Sequence, residues 1–188
     1  MKMTTYVGLL RGINVGGKNK INMSELRDAL SNEGFQHVKT YIQSGNVLFQ
    51  SEESEVLLRK KMEEIIRKQF ELKVPIVLRT AVEWKNLIEN CPFHDEQISK
   101  AQETAIGESL YVAMVGEPLL ADDEKKLLTY ASETEECEIR GREIYLLFHE
   151  SIRNSKLAAF ITRSNEYATV RNWKTINKMN SLLPNVQS

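Results

Sequence analysis

Gly12-x4-Gly17-Lys18 is the first spacing in this 188-residue chain that could do chemistry. It reproduces the start of the phosphate-cradling pattern G-x-x-x-x-G-K-[ST], between a strand-like and a helix-like segment as that pattern requires. In such a loop backbone N–H groups and the lysine hold phosphate oxygens, and the next hydroxyl holds magnesium. Here Asn19 stands where the hydroxyl is needed, and further residues intervene before the helix, so Lys18 is not on its first turn. No apolar strand ends in the aspartate of a second nucleotide motif; Phe148-His149-Glu150 is the nearest. A simpler capacity survives. Gly12, Gly16 and Gly17 can leave several N–H groups pointing one way beside Arg11, Lys18 and Lys20, a concavity that attracts phosphate or carboxylate without a metal. The plain alternative is a turn in which the glycines supply positive φ and Asn14 and Asn19 hydrogen-bond their own backbone.

A second polar constellation is Arg171-Asn-Trp-Lys-Thr175. If Asn172 caps a final helix, the free N–H groups of its first turn add to Arg171 and Lys174 to make an anion site. The alternative gives Trp173, Ile176 and Met179 to a core face and pairs Arg171 with an acid. Ser155-Lys156 lies near the start of the preceding helix.

The remaining chemistry-bearing types form no set. His37, His94 and His149 lack metal-ligand spacing, and GxSxG and HExxH are absent. His149 beside Glu150 suits general acid–base work only if a pocket forms there. Cys91 and Cys137 are far apart with no CxxC, so neither zinc nor a disulfide scaffold is supported, and both read as buried small hydrophobes. No metal is expected, and no complete motif names a cofactor.

These residues are positioned by a recognisable order of elements. Thr5 to Leu10 reads as a strand, and a helix follows the glycine loop, with Asn22 and Glu25 at capping spacing and Gly34 as its stop. Gln36 to Gln43 and Asn46 to Ser51 form a hairpin around Ser44-Gly45. Ser54 to Phe70 is a long amphipathic helix, and Val74 to Leu78 is a strand whose proline suits an edge. Residues 1–80 are therefore β-α-β-β-α-β, the ferredoxin-like order. A helical linker over 81–108 contains Trp84, Leu87, Ile88 and the breaker Cys91-Pro92. Residues 109–188 repeat the order: a strand from Ser109 to Val115, a helix from Asp122 to Ala131, a hairpin across Gly141, a helix from Ile152 to Thr162 with Leu157, Phe160 and Ile161 inward, and a short strand from Tyr167 to Val170. A final helix runs from about Asn172 to Leu182. The fold class is α+β, a ferredoxin-like half followed by a similar half and a C-terminal helix.

At 41% hydrophobic and 27% charged, the chain can bury a real core. Its formal charge of −1 disfavours a globally basic nucleic-acid binder. The distribution is uneven: residues 1–50 carry +3, residues 51–150 carry −9 and residues 151–188 carry +5. Basic ends flanking an acidic middle point to an anionic partner. The bland reading is that the basic side chains face the acidic middle. No apolar run reaches the ~20 residues of a membrane span and no signal-peptide core follows Met1, so a cytoplasmic protein without a membrane partner is expected.

The segments Tyr6-Val-Gly-Leu-Leu-Arg-Gly-Ile-Asn-Val-Gly-Gly-Lys-Asn19, Thr40-Tyr-Ile-Gln-Ser-Gly-Asn-Val47, Ser155-Lys-Leu157 and Thr169-Val-Arg-Asn-Trp-Lys-Thr-Ile-Asn-Lys178 closely resemble the bacterial family called domain of unknown function 1697. The resemblance spans nearly the whole chain, with residues from about 52 to 140 matched by pattern alone. It implies an α+β protein with a ferredoxin-like part. It brings no activity and no catalytic residues, and it places the polar motifs in the two basic ends.

The expectation is a site for an anionic, phosphate-bearing small ligand where the Gly12–Lys20 loop meets Arg171 to Thr175, with Ser44 and Asn46 nearby. Arg11, Lys18 and Arg171 supply charge, Gly16 and Gly17 supply backbone donors, Asn14, Asn46 and Asn172 orient the ligand, and Asn19, Lys156 and Thr175 complete the set. Two other classes compete. Tyr6-Val-Gly-Leu-Leu10 and Gly45-Asn-Val-Leu-Phe49 echo the sheet motifs of RNA-recognition folds, with Tyr6, Tyr41 and Phe49 as stacking candidates. An assembly module held by the opposite charges of ends and middle is the third.

Overall fold

The first strand is apolar on both faces. A computed structural model describes residues 2–184, and in it β1 (Thr4–Leu10) directs Tyr6 and Leu10 into a core with residues of α1 (Met23–Asn32) and α2 (Glu55–Phe70). Val7 and Leu9, on the reverse face, are equally buried, so the strand reads as a nearly continuous apolar run. β1 lies between β3 (Asn46–Ser51) and β4 (Ile76–Thr80), antiparallel to both, and β2 (Gln36–Tyr41) closes the sheet as β2-β3-β1-β4. With α1 and α2 this is the ferredoxin-like order that the sequence predicts. β4 is an edge strand and Pro75 stands just before it, where no ladder N–H is required.

The local signals act as their chemistry dictates. The Asn22 side chain accepts from the N–H groups of Ser24 and Glu25, which caps α1. At the other end the N–H of Gly34 reaches the Ser31 carbonyl and that of Phe35 the Leu30 carbonyl, a Schellman closure. Leu58, Met62, Ile65 and Ile66 recur at helical spacing on α2 and are buried.

After α3 (Ala81–Glu89) and α4 (Asp95–Thr104) the pattern recurs. β5 (Leu110–Met114), α5 (Ala121–Leu128), β6 (Glu135–Arg140), β7 (Glu143–Phe148), α6 (Lys156–Ser164) and β8 (Thr169–Asn172) form a second sheet ordered β6-β7-β5-β8. Its order matches the first position for position. A second core gathers Ala113, Ile144, Leu146 and Phe148 with Leu127, Leu157 and Ile161. α7 (Trp173–Leu182) follows β8 directly, as α3 follows β4.

The chain divides into two compact units, Met1–Asn86 with Met179–Ser188, and Leu87–Lys178. The linker segment over 81–108 is thus shared, α3 falling mostly to the first unit and α4 to the second. One element differs from expectation. The helix expected from Ile152 is a short 3-10 turn, Ile152–Asn154, and α6 begins afresh after Ser155. Ser155 is extended and its hydroxyl accepts from the Ala158 N–H at 3.0 Å, so a serine that bonds the backbone better as a cap interrupts the helical run.

Candidate anion-binding site

In the first unit the glycine loop folds as a miniature hairpin. The Asn14 N–H donates to the Asn19 carbonyl at 3.1 Å and the Lys18 N–H to the Val15 carbonyl at 3.0 Å. Gly16 and Gly17 have φ of +56° and +77°, the two left-handed positions of a type I′ turn. A phosphate loop instead wraps a run of N–H groups around one point ahead of a helix.

The loop's asparagines are committed to holding it. The Asn14 side-chain amide donates to the carbonyls of Gln43 at 2.8 Å and Ile21 at 3.1 Å, and its oxygen accepts from the Ile21 N–H at 2.9 Å. Asn19 donates to the Gly12 carbonyl at 3.1 Å. The Asn14–Gln43 bond brings the loop against the β2–β3 turn, so the expected neighbourhood with Ser44 and Asn46 exists. Asn46 is fully buried and donates to the Tyr41 carbonyl and the Ser44 hydroxyl, both at 3.0 Å. Gly45 is pinned there too, since its carbonyl accepts from the Leu10 N–H at 2.8 Å. Lys18 and Lys20 are exposed, while Arg11 is partly buried. Tyr6 and Phe49 are buried in the core on the helix-facing side of the sheet, 6% and 1% exposed, so burial keeps their rings from a base.

Arg171, Asn172 and Thr175 belong to the second unit. The Asn172 side chain accepts from the Thr175 N–H at 2.8 Å, so it caps α7 as expected. Arg171 pairs with Val112 in register and turns its guanidinium back to the Val170 carbonyl at 3.0 Å. Burial lowers its pKa to about 10, which still leaves it charged at neutral pH. Arg79 is its counterpart in the first unit: it pairs with Val7 and donates to the Leu78 carbonyl at 2.8 Å. An arginine therefore occupies the same register position of both repeats.

Lys156 has different surroundings. It lines an open cavity of about 470 Å³ with Arg153, Asn154, Ser155, Ala159 and Arg163, walled by Tyr130 and Phe160. Arg153, Lys156 and Arg163 are exposed, and their side chains form no ion pair or hydrogen bond with any described residue. No carboxylate is among the lining residues. The Glu135 carboxylate, outside the lining, accepts from the hydroxyl of the lining residue Ser155 at 2.7 Å. Three unpaired cations around one concavity raise the potential there by mutual addition.

The other titratable candidates are spoken for. His149 Nε2 lies 2.8 Å from a Glu136 carboxylate oxygen. Burial pushes the Cys137 thiol up to about 12 and raises that of Cys91, the reverse of what a reactive cysteine needs. Among the described residues no group of three or more His, Cys, Asp or Glu is placed to hold a metal, and no helix is long and apolar enough to cross a membrane.

The family model described as "Protein of unknown function (DUF1697)" matches residues 3–145. The chain belongs to this family. A solved structure with the same fold is that of conserved bacterial protein SP0830 from Streptococcus pneumoniae, 27% identical with a TM-score of 0.76 over 97% of this chain and 100% of that one. Among curated proteins none matches the sequence.

Sequence reasoning named Lys156 and passed over Arg153, Arg163, Tyr130 and Phe160. A signal was available in part: Lys156, Ala159, Phe160 and Arg163 follow i, i+3, i+4, i+7, one stripe of a helix. Phe160 packs against the second core, as its place on the inward face predicts, and being only partly buried it also lines the cavity. Tyr130 comes from the turn after α5, which no local spacing connects to α6.

Proposed function

We propose that the protein binds an anionic, phosphate-bearing small ligand, and that the ligand is held in the second unit by Arg153, Lys156 and Arg163. One observation carries this reading: three cationic side chains without acidic partners surround a single concavity of about 470 Å³, within the range that small-ligand sites occupy. Arg153 and Arg163 offer planar forks of donors that match phosphate oxygens in pairs, and Lys156 adds a point charge. The first turn of α6 opens beside them. The Gly12–Lys20 loop takes no part, because Asn14 and Asn19 brace its hairpin and Lys18 stands on an exposed turn.

The test is thermal unfolding of the wild type with inorganic phosphate, pyrophosphate and triphosphate at low and physiological salt. A ligand at a hundred times its Kd stabilises by about 2.7 kcal/mol. For a chain of this length that raises Tm by about 5–11 °C. The shift is expected to shrink in Arg153→Ala, Lys156→Ala and Arg163→Ala and to persist in Lys18→Ala. No shift with any polyphosphate, or an undiminished shift in the triple variant, overturns the proposal.

A further inference from the structure

Resting on that reading of the cavity, we infer that its ligand is a mononucleotide: the cations take the phosphates, and Tyr130 and Phe160 take the base. The two rings belong to the cavity wall, with centroids 5.4 Å apart and planes tilted by 35°. Inorganic phosphate has no use for such a wall. Polar ligands gain from hydrogen-bond donors and acceptors, and aromatic side chains partly open to a charged cavity contribute by stacking or by apolar contact. A nucleobase supplies a π-face for this purpose with any sequence of ring atoms. Phe160 is also electrostatically conditioned, since the Lys126 ammonium lies 5.5 Å from its ring centroid and strengthens the cationic field around the aromatic wall. Asn154, exposed on the rim, can both donate and accept, as recognition of a base or ribose edge requires.

The experiment is isothermal titration of the full chain with adenosine diphosphate, ribose 5-phosphate and inorganic pyrophosphate at physiological salt. Wild type is expected to bind the nucleotide about five- to a hundredfold more tightly than pyrophosphate, the increment one stacked base contributes. Phe160→Leu is expected to remove most of that preference and leave pyrophosphate affinity unchanged. Tyr130→Leu does the same, and it keeps the test open if the partly buried Phe160 position does not tolerate change; circular dichroism checks that each variant is folded. Equal affinities for nucleotide and pyrophosphate in wild type overturn the inference and leave the anion site standing. A nucleotide preference that survives both leucine variants also overturns it. Failure of all three compounds to bind defeats the anion site itself, and the inference with it.

Discussion

Gly45→Ala is the substitution whose cost the structure specifies most closely. Gly45 has φ of +88°, and a Cβ built on it would lie 2.8 Å from Leu10 Cβ and 2.9 Å from Ile13 Cδ1. Two costs therefore add. Holding a non-glycine residue in this region costs about 1–2 kcal/mol. Forcing a methyl into a filled contact costs about 1–3 kcal/mol more, and the Leu10 Cβ, fixed to the backbone of β1, has little room to give. The sum of about 2–5 kcal/mol corresponds to a Tm lowered by roughly 4–20 °C for a chain of this size. Gly34 provides the control, because its φ is +92° and nothing lies within 4 Å of the built Cβ. Gly34→Ala should show the conformational cost alone. Reversible unfolding by urea, with both variants measured beside wild type, separates the two contributions. Equal destabilisation of Gly45→Ala and Gly34→Ala would refute the claim that the loop and the β2–β3 turn are locked together at Gly45.

Three further outcomes follow from the same contacts. Asn14→Ala removes three side-chain hydrogen bonds and leaves alanine at φ of +55°, so a loss of about 3–5 kcal/mol is expected in urea unfolding. Ser155→Ala should cost about 1–2 kcal/mol through the lost α6 cap, with Ser155→Thr recovering most of it in the same assay. For Cys137, burial favours the neutral thiol and raises its pKa from 9.0 to about 12, so above pH 9 the unfolded chain sheds a proton that the folded chain keeps. Its contribution is therefore present below pH 9 and lost as pH rises from 9 toward 12, and at pH 9 iodoacetamide should alkylate folded Cys137 about five hundredfold more slowly than the urea-unfolded chain.

The fold was legible where apolar period and stop signals agreed. β1 could be read directly as a short apolar run ended by the glycine loop, and α1 with its Asn22 cap and the long stripe of α2 because each buries one face that its own spacing defines. The repeat was legible for the same reason: two runs of β-α-β-β-α-β gave two sheets with matching strand order. Ile152 to Thr162 was misread as one helix because Leu157 and Ile161 set the period, whereas the Ser155 hydroxyl, bonded to both Ala158 and Glu135, ends it locally. The glycine loop carried the right residues for two structures. A type I′ turn and a phosphate cradle both require glycines, and the long-range bond from Asn14 to the Gln43 carbonyl, 29 positions away, is invisible in spacing. The cavity was the least legible part. Tyr130 lies in the turn after α5 and Arg163 on α6, and only tertiary packing gives them a common concavity with Lys156.

The central claim is tested most directly by ¹H–¹⁵N correlation spectra of the labelled protein during titration with pyrophosphate. Saturable shifts are expected on the backbone amides of Arg153, Asn154, Lys156 and Phe160 and on the Arg153 and Arg163 side chains, with the amides of Val15 to Lys18 unmoved. Shifts centred on the Val15–Lys18 turn or on Arg171 to Thr175, or no saturable shifts at all, would contradict it.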